Sequence, residues 1–360
     1  MTHTADTHPA NTPAAKTPAQ IRQIRARHPE MRERDFARIH AISEAELVAA
    51  QVGSSAIALR PDIKMLLEGL PACGEVMALT RNESAVHEKI GPYEKPVLGA
   101  RAAMVLGAQI DLRLFPSQWH FGFAVDKSTA DGVVRRSLQF FDAQGMAVHK
   151  VHARPATDMA AWDRLIASLR HDKQDDAIVL APAAAPEPIG EPAGVEQLRH
   201  RWQAMTDTHQ FFGVLRDLNL PRLDALEMVG EDYAFQLDHA ATATLFAEAA
   251  VAELPIMVFV GNHGCIQIHP GPVKSIKTMG PWLNVMDDTF HLHLRLDQIA
   301  SVWAVRKPTA DGHVSSVEVY DANRELIIQF FGKRTEGQDE RDDWRMIAEN
   351  LPAIVRSRAA

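Results

Sequence analysis

His209 is the residue whose surroundings most invite chemistry. It lies in the run Met205-Thr206-Asp207-Thr208-His209-Gln210-Phe211-Phe212, where Leu198, Trp202, Met205, His209, Phe212 and Arg216 recur at alternating steps of four and three. That spacing predicts one continuous helix carrying a single imidazole in an otherwise apolar stripe. An imidazole on such a surface needs a partner: either a carbonyl inside a core or a metal. The spacing leaves both readings open.

A second set of polar groups sits on period-two segments. In Ile110–Phe115, Asp111, Arg113 and Phe115 share one strand face while Leu112 and Leu114 take the other. His291, His293 and Arg295 alternate likewise with Leu292 and Leu294. Two histidines at alternate positions can converge on one ion. A zinc site needs three or four ligands, however, and no carboxylate or cysteine sits at supporting spacing, so the expectation is a solvated sheet face. Cys73 and Cys265 lie in no Cys-x-x-Cys spacing and are expected as small buried hydrophobes of a reduced, intracellular chain.

The elements that must position these groups are written twice. Alternating segments (EVMALTR, SAVHEKI, IDLRLF, WHFGFAVD, RRSLQFFD, AVHKVHA) predict strands separated by turns. Met77 and Asn82 match Met257 and Asn262, and Lys127-Ser128-Thr129-Ala130-Asp131-Gly132 matches Lys307-Pro308-Thr309-Ala310-Asp311-Gly312, both at a spacing of 180 (257 − 77; 307 − 127). Phe141-Asp142-Ala143 and Trp162 find partners in Tyr320-Asp321-Ala322 and Trp344. Separated anchors at nearly constant offset predict an α+β fold built as a tandem structural repeat, each half a large, mostly antiparallel sheet with flanking helices. The expected divisions are a disordered tail over 1–20, a first repeat over 21–180, a Pro/Ala linker over 181–197 and a second repeat over 198–356 that carries the His209 helix. Aligned on Val52-Gly53 and Val229-Gly230, His209 faces Arg32 and Arg222 faces Ala45, so the histidine belongs to one copy only.

Composition narrows the class. The 360 residues are 46% hydrophobic and 23% charged with a net charge of −8, which fits two globular cores and argues against the phosphate backbone of a nucleic acid as main partner. No apolar run approaches the roughly 20 residues that span a bilayer, and the start lacks a secretory pattern, so a cytoplasmic location without stable membrane insertion is expected. Residues 35–53 could be read as a DNA-binding helix-turn-helix, but a related piece recurs around 209–230, which favours ordinary architecture. A non-catalytic DNA- or protein-binding regulatory module is the alternative function.

The motifs RNESAVHEKIG, IDLRLF, MTDTHQFF, MVFVGNHGCIQIHPGPV, MGPWLNV, RKPTADGHVSS and GKRTEG together resemble the bacterial haemin-degrading and cytoplasmic haem-trafficking family of HemS/HmuS/ChuS type. The likeness runs from about Pro29 to about Leu351. It implies a two-repeat protein of haem-iron uptake that delivers haem to a haem oxygenase, degrades it to release iron, or both, with an inner-membrane haem importer as a further partner. By the same resemblance His209 is the axial ligand of the haem iron, and Arg113 lies across the ring as the residue placed to act on iron-bound oxygen. Phe115, Phe212, Arg222, Lys307, Gln329 and Arg334 surround the pocket, the cations suiting the haem propionates. Trp202, Met205 and Phe212 are expected to shield the disc. Gln210 and Phe212 stand where some relatives carry exchangeable histidines, and Phe330-Phe331 stand where Leu-Tyr is common. His87 matches a proposed second haem site of some relatives.

Overall fold

The computed structural model describes residues 15–129, 131–182, 191–334 and 339–354. The expected tail before residue 15 and the linker centre (183–190) lie outside them. The first copy contributes α1 (Pro18–Ala26), α2 (Glu33–Ile39), α3 (Glu44–Ala49), α4 (Ile63–Gly69) and α5 (Met159–Leu169). Its strands are β1 (Ala56–Leu59), β2 (Val76–Arg81), β3 (Ala85–Gly91), β4 (Pro96–Leu98), β5 (Ala103–Leu106), β6 (Asp111–Leu114), β7 (Phe121–Ser128), β8 (Val134–Phe141) and β9 (Ala147–Ala153). The second copy contributes α6 (Val195–Gln203), α7 (Gln210–Asp217), α8 (Arg222–Val229), α9 (Ala241–Val251) and α10 (Asp342–Asn350). Its strands are β10 (Ala234–Leu237), β11 (Ile256–Gly261), β12 (Cys265–Gly271), β13 (Ile276–Met279), β14 (Trp282–Met286), β15 (Phe290–Arg295), β16 (Ser301–Thr309), β17 (Gly312–Tyr320) and β18 (Leu326–Gly332).

The strands form two antiparallel nine-stranded sheets, ordered β1-β7-β8-β9-β2-β3-β15-β14-β13 and β10-β16-β17-β18-β11-β12-β6-β5-β4. The expected α+β repeat is present, with one refinement: each sheet takes six strands from one copy and three from the other. Arg113 on β6 therefore lies in the sheet of the second copy, with Arg113 opposite Ile266 of β12. His293 on β15 stands opposite Val86 of β3 in the first sheet.

The exchange is pinned at matched points. Asn82 Nδ2 donates to the carbonyls of Gly261 and Ile327, while Asn262 Nδ2 donates to those of Arg81 and Val148. One apolar core unites Leu283, Val285, Phe290 and Leu294 with Val258, Phe330 and Trp344; the other unites Ala103, Val105 and Leu112 with Val76, Leu138 and Trp162. Among the described residues each core is drawn almost wholly from one copy, with Ala85 crossing into the former and Cys265 into the latter, so the exchanged strands change sheets while their apolar faces stay with their own copy.

The helix-turn-helix reading does not survive the packing. Ser43 and Glu46 do form the capping box their spacing suggests, but α3 is six residues long with Glu44, Ala45, Leu47, Val48 and Ala49 all buried. A recognition helix must offer its side chains to a groove. Among the described residues no helix is long and apolar enough to cross a membrane.

Candidate functional site

The predicted continuous helix is broken. Helix α6 ends at Gln203 and α7 starts at Gln210, with His209 at its N-cap. The cause is local: Asp207 Oδ1 accepts the His209 backbone N–H at 2.7 Å, and Gln210 Oε1 accepts the Thr206 backbone N–H at 2.9 Å. Short polar side chains here offer the backbone an alternative to the helical ladder. The Thr206 carbonyl also accepts from Ala310 N–H at 2.9 Å, which ties the connection to the β16–β17 turn.

The break reverses the stripe. Trp202 and Met205 pack in a buried cluster with Leu198 and Phe211 and cannot shield a ligand. The His209 side chain is instead 91% exposed, and Phe212 is 65% exposed. His209 Nδ1 lies 2.7 Å from Asp207 Oδ1. Bonds from the His209 backbone and ring, with the charge of Arg334 nearby, hold the Asp207 carboxyl below its ordinary range. It is therefore an acceptor, so the imidazole proton sits on Nδ1 and Nε2 presents its lone pair to solvent, the arrangement of a metal-ligating histidine backed by a carboxylate.

Beside this loop, strand alternation builds one face of the second sheet. Ser316, Glu318 and Tyr320 of β17, Gln329 and Phe331 of β18, Met257 and Phe259 of β11, Ile266 and Ile268 of β12 and Arg113 of β6 all point to it by register. The width from β18 to β6 is about 14 Å at the usual strand spacing. Phe259 and Phe331 meet edge to face at 5.0 Å between centroids. Lys307 Nζ sits 5.8 Å from the Phe331 ring and 4.8 Å from that of Phe211, and the Arg222 guanidinium sits 5.0 Å and 5.5 Å from the rings of Phe211 and Phe212. Aromatic rings and cations thus run without a gap from the His209 helix to the sheet floor.

The cations are already committed. Arg222 donates twice to Glu318, at 2.7 Å each, and Lys307 Nζ donates to the same carboxylate at 2.7 Å, while Tyr320 donates to it at 2.7 Å. Burial alone would push the Glu318 carboxyl up, but Arg222 and Lys307 outweigh it and hold the carboxyl well below its ordinary value. Burial pushes Lys307 down to about 8 despite the carboxylate. Lys307 and Arg222, expected around the pocket as cations suited to propionates, are both bonded to Glu318, which leaves one net positive charge behind the aromatic wall. Of the cations expected there, Arg334 is exposed.

Arg113, half-buried, donates to Asp111 and, at 3.1 Å, to the Leu112 carbonyl. Burial raises the Asp111 carboxyl, with Arg113 opposing that rise. Phe115 follows on the same face, its N–H bonded to the Gly264 carbonyl at 3.0 Å. A cavity of about 680 Å³ continues from this floor into the cleft between the copies, lined by Phe212, Arg222, Phe259, Ile266, Gln329 and Arg324 among others. Gln329 Nε2 is buried there without a partner.

Other expectations resolve differently. His87 is fully buried, its ring 4.9 Å from that of Phe290, so no surface site forms around it. His291 Nδ1 lies 3.1 Å from Glu88 and His293 Nδ1 2.6 Å from Asn284 Oδ1. Among the described residues no three His, Cys, Asp or Glu side chains are grouped to hold a metal ion. Glu318 and Phe259 were not among the expected site residues; a lone glutamate inside the strand Ser-Ser-Val-Glu-Val-Tyr was the available signal for a buried ion pair.

Comparison with known proteins places this geometry. The model of the haemin-degrading HemS/ChuX domain matches residues 41–169 and again 219–351. The chain belongs to this haemin-degrading family. It is 42% identical over 324 residues to the haemin transport protein HmuS of Yersinia pestis, covering 90% of this chain and 93% of that one. The haem-binding protein PhuS of Pseudomonas aeruginosa, in its holo form, superposes with a TM-score of 0.90 at 45% identity, covering 94% of this chain and 100% of its own. The Escherichia coli haem oxygenase ChuS superposes at 0.82 with 39% identity, over 88% and 95% of the two chains. One match falls in each half of the chain.

Proposed function

We propose that the chain is a cytoplasmic haem-binding protein of haem-iron uptake, taking haem against the open face of the second sheet with His209 on the iron. The observation that carries this is the pairing of a solvent-facing Nε2 lone pair, fixed by Asp207, with the exposed Phe212 ring at the lip of an aromatic floor. Large apolar groups left in contact mark a surface awaiting an apolar partner, and a porphyrin is a flat apolar disc with an anionic edge. The residues present fit it. Phe212, Phe259 and Phe331 supply contact area, Gln329 an unpaired donor, and Arg334 with the net charge around Glu318 favours the propionates. Arg113 and Phe115 come from the first copy, so the site is completed only by the strand exchange.

Haem supplies the iron and its redox chemistry; the protein supplies the ligand, the orientation and the exclusion of water. Asp207 holds the His209 ring in orientation through the Nδ1 contact. Arg113 carries guanidinium N–H groups that can donate to a small ligand across the ring, which is the lever that separates holding haem from activating oxygen on it. The relatives' own designations, haemin transport for HmuS and haem oxygenase for ChuS, span both outcomes, with an importer upstream and an oxygenase downstream as fitting partners.

Absorption titration with haemin tests the reading. A Soret band saturating at one haem per chain is expected in the wild type, and a displaced band with weaker binding in His209→Ala. Identical spectra and affinities would remove His209 from the iron. Incubating the complex with a reductant and catalase then separates the roles. Ring loss under these conditions marks degradation, and persistent colour with transfer to a separate oxygenase marks delivery.

A further inference from the structure

The two copies meet at equivalent residues. Lys89 of β3 and His269 of β12 occupy matched positions (269 − 89 = 180), and Lys89 Nζ lies 3.2 Å from His269 Nδ1. Gln109 and Thr289 are matched in the same way (289 − 109 = 180), and Thr289 Oγ1 donates to Gln109 Oε1 at 3.0 Å. Contacts between counterparts of a duplicated chain place an internal twofold axis here. At this point opens a pocket of about 450 Å³, lined by Lys89, Gln109, His269, Lys274, Thr289 and Phe290 among others. It shares no lining residue with the cleft cavity lined by Phe212 and Arg222.

The pocket is rich in donors whose local acceptors are used up. Lys89 is 2% exposed. It donates to Gln109 Oε1 at 3.1 Å and to His269 Nδ1, so the third N–H of its ammonium is left for the pocket. His269 Nε2 lies 3.2 Å from the Pro272 carbonyl, which fixes the proton on that nitrogen and makes Nδ1 the acceptor. Gln109 Oε1 accepts twice, which turns its amide Nε2 away as a free donor. Among the described residues no carboxylate pairs with Lys89. An isolated buried ammonium is costly, and a partner of opposite charge removes the cost.

The surroundings restrict the anion. Asp287 and Asp288 stand on the rim, Asp287 already accepting the backbone N–H groups of Lys274 and Ser275 at 3.1 and 2.8 Å. These carboxylates repel a second negative charge. Pro270 and Pro272 give the otherwise polar pocket one apolar wall, and behind it His269 stacks on the buried Phe290 at 3.9 Å and 5°. We propose that this pocket binds a small organic monocarboxylate, its carboxylate seated on the Lys89 ammonium and the Gln109 amide and its apolar body against Pro270 and Pro272. Such a ligand bridges both sheets at the point where the copies join. Burial pushes Lys89 down to about 8, with Asp287 opposing, and the bound anion restores its proton affinity.

Titration of the haem-free full chain with carbon-13 acetate and with benzoate, followed by NMR line broadening, tests the site. Saturable binding is expected in the wild type, at least about tenfold weaker in Lys89→Met, which removes the charge, and in Gln109→Glu, which supplies a built-in carboxylate. Binding should also weaken from pH 7 to 9 as Lys89 loses its proton; the groups facing it are His87, His269, Lys274, Asp287 and Asp288. Far-UV circular dichroism and the haemin titration report folding, and Gln109→Glu carries the test if Lys89→Met does not fold. Equal binding by wild type and the folded variants, no saturable binding by wild type, or phosphate bound as tightly as acetate would each overturn the assignment.

Discussion

The two sheet faces of the duplicated chain share register and topology but do opposite things with them. On the second face, mid-strand positions are Met257, Phe259 and Phe331; their counterparts on the first are Met77, Leu79 and His152. Where the second face has Glu318 gathering Arg222 and Lys307, the first has Gln139, bonded to Ser137 at 3.0 Å. Lys150 in place of Gln329 lies 3.6 Å from Glu44 and 3.9 Å from Glu33, and Arg81 pairs with Glu44 as well. Helices α2 and α3 supply those carboxylates and so close the first face with charge. In the position of Arg113 stands His293, and in that of His209 stands Arg32. One scaffold thus gives a sealed polar face and an open aromatic one, and the choice is made by side chains on matched positions, with the backbone held constant.

Breaking the Glu318 centre should have the largest effect. Glu318→Gln leaves two buried cations without a counter-charge and is expected to cost about 3–5 kcal/mol in urea unfolding, whereas Gln139→Ala at the matched position should cost about 1 kcal/mol. The same centre sets an acid limit. A carboxyl held below its ordinary value in the folded state stabilises fully above the unfolded value, and that stability is lost as pH falls through the depressed folded value. The pH dependence of wild type minus Glu318→Gln should therefore fade only in acid.

His209→Ala should weaken haemin binding by about 100-fold, or about 2.8 kcal/mol, while Arg32→Ala leaves the titration unchanged. Asp207→Asn keeps the ligand but weakens its backing, and a loss of about tenfold in affinity with a shifted reduction potential is expected. Arg113→Ala should bind haemin nearly as well yet change the rate of ring loss or transfer by about tenfold. At the bottom of the scale, Lys127→Ala removes a partly exposed ion pair with Glu33 at 3.0 Å, at the margin of the first face, and should shift stability by about 0–1 kcal/mol, unlike its buried counterpart Lys307.

Much of this was legible in the chain. The offset of 180, the six alternating segments and the motif around His209 lead to the tandem α+β plan, because strand alternation and repeated anchors are local signals. The strand exchange was not legible: which copy β6 pairs with depends on contacts far apart in the chain, such as the Asn82 and Asn262 crossings, and the alternation of IDLRLF is the same in either sheet. The break before His209 was hidden by a stripe whose first members, Leu198, Trp202 and Met205, are buried as their spacing suggests, while Phe212 beyond the break is exposed. The Asp207 turn overrode the periodicity and moved the imidazole from core to solvent, where a ligand is more useful. Lys307 and Arg222 read as pocket cations because Glu318, far from either in sequence, could not be paired with them in advance.

A crystal structure of the one-to-one haemin complex tests the central claim most directly. The account expects the iron on His209 Nε2, the ring across Phe259 and Phe331, and Arg113 on the far side. Iron held by His291 or His293 on the first sheet, with the second face left bare, would contradict it.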